Sequence, residues 1–285
     1  MRCVNIEDLE VYRKYLVEME KSDATIAKYL RDIRTFIGWL AENGEKTAGG
    51  TEVTKEKTIA YKTWLKENYK TSSACSMLVA LNRYLQYLGW NECCVKGIKS
   101  QQQMFAGQKE LKQSEYQKLV GTARQENNEK MAVLIETIAG TGIRVSELVY
   151  ITAEAVTQGK AEVLCKGKCR EIYLTKELRK RLLRFCKTEN IHHGPVFLSK
   201  NGKPMDRSDI WRKMKQLGER AGVDPEKVFP HNLRHLFART YYKKHKDIVY
   251  LADILGHTSI NTTRIYTRTA CDSHIRKLEG LGLVS

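Results

Sequence analysis

Between Lys99 and Lys109 the chain loses its apolar periodicity. The run Lys99-Ser100-Gln101-Gln102-Gln103-Met104-Phe105-Ala106-Gly107-Gln108-Lys109 is polar and rich in glutamine. No helix face or strand face built from it can join a core. In a chain of 285 residues such a stretch divides the fold into two separately packed bodies. We place one body at 1–98, a linker at 99–110 and a second body at 111–285.

The first body reads as helices. Ile6 to Glu20 is amphipathic, and Ser22 or Asp23 can cap the next helix. There Ile26, Tyr29, Leu30, Ile33, Phe36, Ile37 and Leu40 recur at three- and four-residue steps and build one apolar stripe, which Asn43-Gly44 ends. A third helix starts at Thr54 and carries Ile59, Tyr61, Trp64 and Leu65. A fourth runs from Ser72 to Leu88 with Met77, Leu78, Leu81, Leu85 and Leu88 inward. Four short helices with one stripe each predict a small bundle.

The second body mixes periods. Ser114 is expected to cap a helix through Arg124, and Lys130 to Ala139 forms another. Gly140-Thr141-Gly142 then breaks the chain and delivers Arg144 to the start of a new helix. Ala161–Cys165 and Arg170–Leu174 alternate as two strands of a hairpin around Lys166-Gly167-Lys168. Thr175 caps a basic helix to Lys187, and Val196-Phe197-Leu198 reads as a third strand. Ser208 to Ala221 is a helix with Trp211, Met214 and Leu217 inward. The rest, to Leu278, reads as helices separated by Lys246-Asp247 and Gly256. The expected class is mainly α with a small β-sheet: a helical amino-terminal bundle followed by an α/β domain.

Charge is uneven. Residues 1–105 hold 16 Lys+Arg against 13 Asp+Glu, net +3; the remainder holds 33 against 20, net +13. An excess concentrated in one body favours a polyanionic partner. No apolar run is long enough to span a bilayer, and acids occupy the start where a leader would be apolar, so a cytoplasmic protein without membrane contact is expected. The eight cysteines read as reduced thiols, with Cys165 and Cys169 near one another across the hairpin. Cys186, His192 and His193 are too irregularly spaced to argue for a metal, and no cofactor is implied.

Six polar residues of the second body then stand out: Arg144, Lys166, His231, Arg234, His257 and Tyr266. Two guanidinium forks, one ammonium, two imidazoles and a phenol suit metal-free chemistry on a phosphodiester. The arginines can hold non-bridging oxygens in bidentate fashion, the lysine and histidines can move protons, and the phenol can attack. Each has a plainer explanation alone. Arg144 could pair with Glu147 on one helix face, Lys166 could be a solvated turn lysine, and Tyr266 is one of 14 tyrosines. His231 and Arg234, three residues apart after Pro230, share a helix face. His235 is read as structural.

The contexts Thr141-Gly142-Ile143-Arg144-Val145-Ser146-Glu147-Leu148, His231-Asn232-Leu233-Arg234-His235, Leu255-Gly256-His257 and Thr263-Arg264-Ile265-Tyr266-Thr267 together resemble the tyrosine recombinase (phage integrase) family, in its compact two-domain Xer-like form. The motif resemblance covers residues 111–275. It implies an amino-terminal core-binding, SAM-like DNA-binding domain and a catalytic domain in which all six positions are filled. It also implies that Tyr266 attacks to leave a 3′-phosphotyrosyl link and that Lys166 protonates the leaving 5′ oxygen. His231 and His257 would serve proton transfer and phosphate binding, and the arginines would hold the phosphate. The family's turn usually reads Gly-Lys-Gly-x-Lys. Here Cys165-Lys166-Gly167-Lys168-Cys169 has cysteine first and one residue fewer, so Lys168 competes with Lys166.

The resemblance further implies double-stranded DNA with an inverted-repeat site and a homotetramer on two such sites, passing through a Holliday junction. The segment from Cys271 to Gly282 would be a carboxy-terminal helix docking on a neighbouring protomer. Chromosome dimer resolution, mobile-element integration or excision, and the need for an accessory or activating protein stay open. Two other readings compete: a DNA-binding protein that has lost catalysis, and a type IB topoisomerase-like enzyme that relaxes DNA as a monomer.

Overall fold

The computed structural model describes residues 2–43, 46–47, 50–98, 110–165, 168–257 and 259–267. The chain divides into two compact units, Met1–Gln102 and Gln103–Ser285. Residues 99–109 of the expected linker, Lys166 and the expected carboxy-terminal helix lie outside the described residues.

The first unit packs helices α1 (Asp8–Glu18), α2 (Asp23–Asn43), α3 (Lys55–Asn68) and α4 (Thr71–Tyr87) around one core. The stripe on α2 does what its spacing predicts: Ile26, Leu30, Ile33, Phe36, Ile37 and Leu40 are all buried. Thr54 caps α3 by accepting a hydrogen bond from the Lys57 N–H. Tyr12 meets Tyr84 and Tyr87 at ring-centroid distances of 4.9 Å, joining α1 to α4; such aromatic pairs each add about 0.5–1.5 kcal/mol beyond area burial. A small antiparallel sheet, not expected from the sequence, accompanies the helices: β1 (Cys3–Val4), β2 (Lys46–Thr47) and β3 (Gly50–Glu52), in the order β1-β3-β2. Its strands are two or three residues long, too short to show a period.

The second unit is built round α6 (Glu129–Thr141), which buries side chains on almost every side between α5 (Gln113–Gln125), α8 (Lys176–Thr188) and α10 (Pro230–His245). Helix α5 starts one residue before Ser114, because the Glu115 carboxylate accepts the Lys112 backbone N–H at 2.7 Å. After α7 (Ala153–Gln158) come β4 (Lys160–Cys165) and β5 (Lys168–Tyr173), an antiparallel hairpin in register Cys165↔Lys168 to Lys160↔Tyr173. Cys169 therefore faces Leu164 across the ladder, not Cys165.

Two sequence expectations fail here. Val196-Phe197-Leu198 is not a strand; the neighbourhood makes only the isolated bridges Thr152↔Pro195 and Leu198↔Pro204. Proline lacks the N–H that would extend either ladder. On α9 (Arg207–Arg220), Ile210, Met214 and Leu217 face inward but Trp211 is half exposed. It lies about 100° round the helix from Ile210, and the Lys215 ammonium sits 5.2 Å from its ring centroid. The described chain closes with α11 (Ile248–Leu255), α12 (Ile260–Thr263) and a single 3-10 turn, Arg264–Thr267.

Candidate active site

Helix α6 ends at Gly142, whose φ of 66° places it in the left-handed region. A Cβ there would lie 2.5 Å from the Phe237 ring, so the residue must be glycine on two counts. The turn puts Arg144 in extended conformation at the head of the 3-10 helix Val145–Tyr150. Glu147 then closes the turn. Its carboxylate accepts the Arg144 backbone N–H at 2.9 Å and the Arg144 guanidinium at 2.8 Å. The same carboxylate takes a third hydrogen bond, at 2.5 Å, from Arg170 on β5. Burial pushes the Glu147 carboxyl up, but the Arg144 and Arg170 contacts outweigh it and hold the group below the usual carboxylate range. The second guanidinium nitrogen of Arg144 donates to the Gly256 carbonyl at 3.2 Å.

Pro230 occupies the first turn of α10, where its missing N–H costs nothing, and His231 follows it. One turn on, Arg234 is wholly buried. It donates to the Gly142 carbonyl at 2.7 Å, to the Leu255 carbonyl at 2.7 Å and to His257 Nε2 at 3.0 Å. Burial first, then the Arg144 charge, brings its guanidinium down to about 10; it stays charged at neutral pH. Arginine has only donors, so His257 Nε2 must accept. The ring proton is then on Nδ1, which donates to Thr263 Oγ1 at 2.8 Å. Burial and the neighbouring guanidiniums of Arg234, Arg144 and Arg170 push His257 down to about 4, so the ring is neutral.

Tyr266 is 5 % exposed in the final 3-10 turn, packed with Ala238, Leu251 and Leu255. His235 meets its ring edge-on at 5.0 Å, and the His257 ring lies nearly parallel at 6.3 Å. Burial raises the phenol above its ordinary value; Arg234, Arg144 and Arg239 pull it back without cancelling that. His231, exposed at the head of α10, meets His235 at 4.4 Å; desolvation and then Arg234, Arg207 and Arg144 lower it. His235 is buried enough to fall to about 4.

The fold thus brings Arg144, His231, Arg234, His257 and Tyr266 to one region, while Lys166 lies outside the described residues. Cys186 is buried in α8 and His193 faces Glu154 at 3.4 Å. Two residues of the network escape a motif-based reading. Thr263 orients His257. Arg170 occupies an inward position of β5, beside Ile172, where strand alternation calls for an apolar side chain; a charge at such a position was the available signal.

Residues 109–272 match the phage integrase family, and residues 9–92 match the phage integrase N-terminal SAM-like domain. The tyrosine recombinase XerD of Vibrio cholerae is 29% identical over 276 residues, covering 88% of this chain and 87% of that protein. The tyrosine recombinase XerA of Pyrococcus horikoshii is 27% identical over 282 residues, covering 96% and 93%. A structure of XerH bound to palindromic difH substrate in a post-cleavage complex shares the fold, with a TM-score of 0.72 at 19% identity over 98% of this chain and 84% of that one. A lambda integrase tetramer bound to a Holliday junction shares it with a TM-score of 0.71 at 18% identity over 93% and 77%. The chain belongs to the phage integrase family and is a Xer-like tyrosine recombinase, an enzyme of site-specific DNA strand exchange.

Proposed function

We propose that Arg144, Lys166, His231, Arg234, His257 and Tyr266 carry out strand exchange on duplex DNA bearing an inverted-repeat site. The observation that supports this most is the convergence on Arg234, which hydrogen-bonds His257 and lies in hydrogen-bonding reach of the Tyr266 phenol. Arg144 and Arg234 clamp the scissile phosphate and stabilise the charge that builds on its oxygens as the phenol attacks. The Tyr266 oxygen bonds to phosphorus, and the bond to the 5′ oxygen breaks. The phenolic proton passes to His231, and Lys166 gives a proton to the leaving 5′ oxygen. A 5′-hydroxyl from a partner duplex then reverses the chemistry. Bond energy is conserved, so no nucleotide hydrolysis is required.

In the described geometry Tyr266 is sheltered and Arg234 is engaged by His257. Arrival of a phosphate gives Arg234 a better acceptor, frees His257 Nε2 and lets the phenol turn outward. The lambda integrase tetramer supports four copies acting on two sites through a Holliday junction. The amino-terminal unit, 1–98, contributes DNA binding, and 111–285 the chemistry. Single-turnover cleavage of a bound duplex checks the assignments. Alanine at Arg144 or Arg234 should slow it by at least ~10²-fold, the scale of removing one transition-state donor. Lys166→Ala should slow it far more than Lys168→Ala; the reverse would move the proton donor to Lys168.

A further inference from the structure

Among the described residues, Arg170 is a charged side chain on the inward face of the β4–β5 hairpin whose contacts reach two other parts of the catalytic region. One guanidinium nitrogen donates to Glu147 at 2.5 Å, and the other to the Ile254 carbonyl at the end of α11. Its side chain is 13% exposed, and its Nε has no hydrogen-bond partner among the described residues. The space its stem occupies exists because residue 256 is glycine: a Cβ there would lie 2.7 Å from Arg170 Cδ. So one side chain of β5 locks the hairpin against the carboxylate that aims Arg144 and against the turn that presents His257.

The hairpin is also the element whose two-residue connection is Lys166-Gly167. Only Gly167, Lys168 and Cys169 separate the lysine from Arg170 in sequence, and the ladder beside them is continuous, Val163↔Arg170 through Cys165↔Lys168. A shift of Arg170 is therefore passed along the ladder to Cys165 and Lys168, the pair that flanks the connection. We propose that Arg170 is a positioning residue for strand exchange: it seats the hairpin so that the lysine of the connection meets the leaving 5′ oxygen while the phosphate clamp is formed. This rests on the roles proposed above for Lys166 and Tyr266. Charge balance agrees with it. Glu147 alone would neutralise Arg144. Shared with Arg170, and with Arg234 nearby, it leaves the three guanidiniums net positive towards a phosphodiester.

The test separates proton donation from everything else. Two duplexes of the same sequence, recovered by the protein from a randomised pool, carry either oxygen or sulfur at the bridging 5′ position of the scissile phosphate. Sulfur leaves as a thiolate and needs no proton, since thiols are far more acidic than alcohols. With the oxygen duplex, Arg170→Ala should lose much of the roughly 10²–10⁴-fold that general acid catalysis contributes. With the sulfur duplex it should cleave at close to the wild-type rate. Arg170→Lys, which keeps the stem and the charge but cannot span both acceptors, should show the same pattern in milder form. It decides the matter if Arg170→Ala does not fold. Equal losses on both duplexes, or no loss on either, would overturn the proposal. Wild-type protein giving no Tyr266-dependent adduct on either duplex would instead remove the underlying assignment, and this proposal with it.

Discussion

At the scale of single residues, burial and positive charge govern the titratable groups of the site. His235 and His257 both have folded values near 4, against about 6.5 for an unfolded chain. Between those values the unfolded chain binds more protons, so stability rises with pH across the window and is lost as pH falls through it. Melting temperature should therefore drop on acidification from pH 7 to 4, and His235→Phe, which keeps an aromatic edge against Tyr266, should make the drop shallower. An unchanged slope would mean that His235 does not titrate in this way. Tyr266 is the opposite case, a phenol raised by burial, so the resting phenol is protonated. Tyr266→Phe should leave duplex affinity intact, because the ring's contacts with His235, His257 and Leu255 survive.

Elements act here mainly through their ends. Gly142 ends α6, and the turn it makes delivers Arg144 and gives Arg234 a carbonyl to hold. Gly142→Ala combines an unfavourable φ with a clash against Phe237, and should destabilise the second unit by about 1–3 kcal/mol in a denaturant titration. A neutral result would mean that Phe237 moves aside freely. The sequence made much of this legible. The α2 stripe, the Thr54 and Thr175 caps, the hairpin and the turn before Arg144 follow from local periodicity and capping chemistry. The misses were of another kind. In the short sheet β1-β3-β2, β1 pairs with a strand some fifty positions away, and all three strands are too brief to show alternation. Pro195 and Pro204 block a strand that composition alone allowed. Glu147 was suspected as a partner of Arg144, but its second partner, Arg170, is 23 residues away and no helical spacing points to it. The Thr263–His257 contact is a tertiary detail of the same sort.

At the scale of the whole molecule, charge and chemistry coincide: residues 106–285, which hold Arg144, Arg234, His257 and Tyr266, carry the net +13. Among the described residues no helix is long and apolar enough to cross a membrane. A DNA interface drawn from that charge should weaken steeply with salt. With 6–10 phosphate contacts, affinity should fall by about 10³–10⁵ between 50 and 200 mM. A nearly flat dependence in a binding titration would contradict an interface of that size. The central claim, that Tyr266 becomes covalently joined to DNA, is tested most directly with a duplex nicked close to the exchange point, so that the cleaved fragment diffuses away and the adduct is trapped. On a denaturing gel the wild-type chain should appear as a protein–DNA adduct and Tyr266→Phe should not, although both bind the duplex. An adduct formed equally by the Tyr266→Phe chain, or none from a wild-type chain bound tightly to that duplex, would contradict the account.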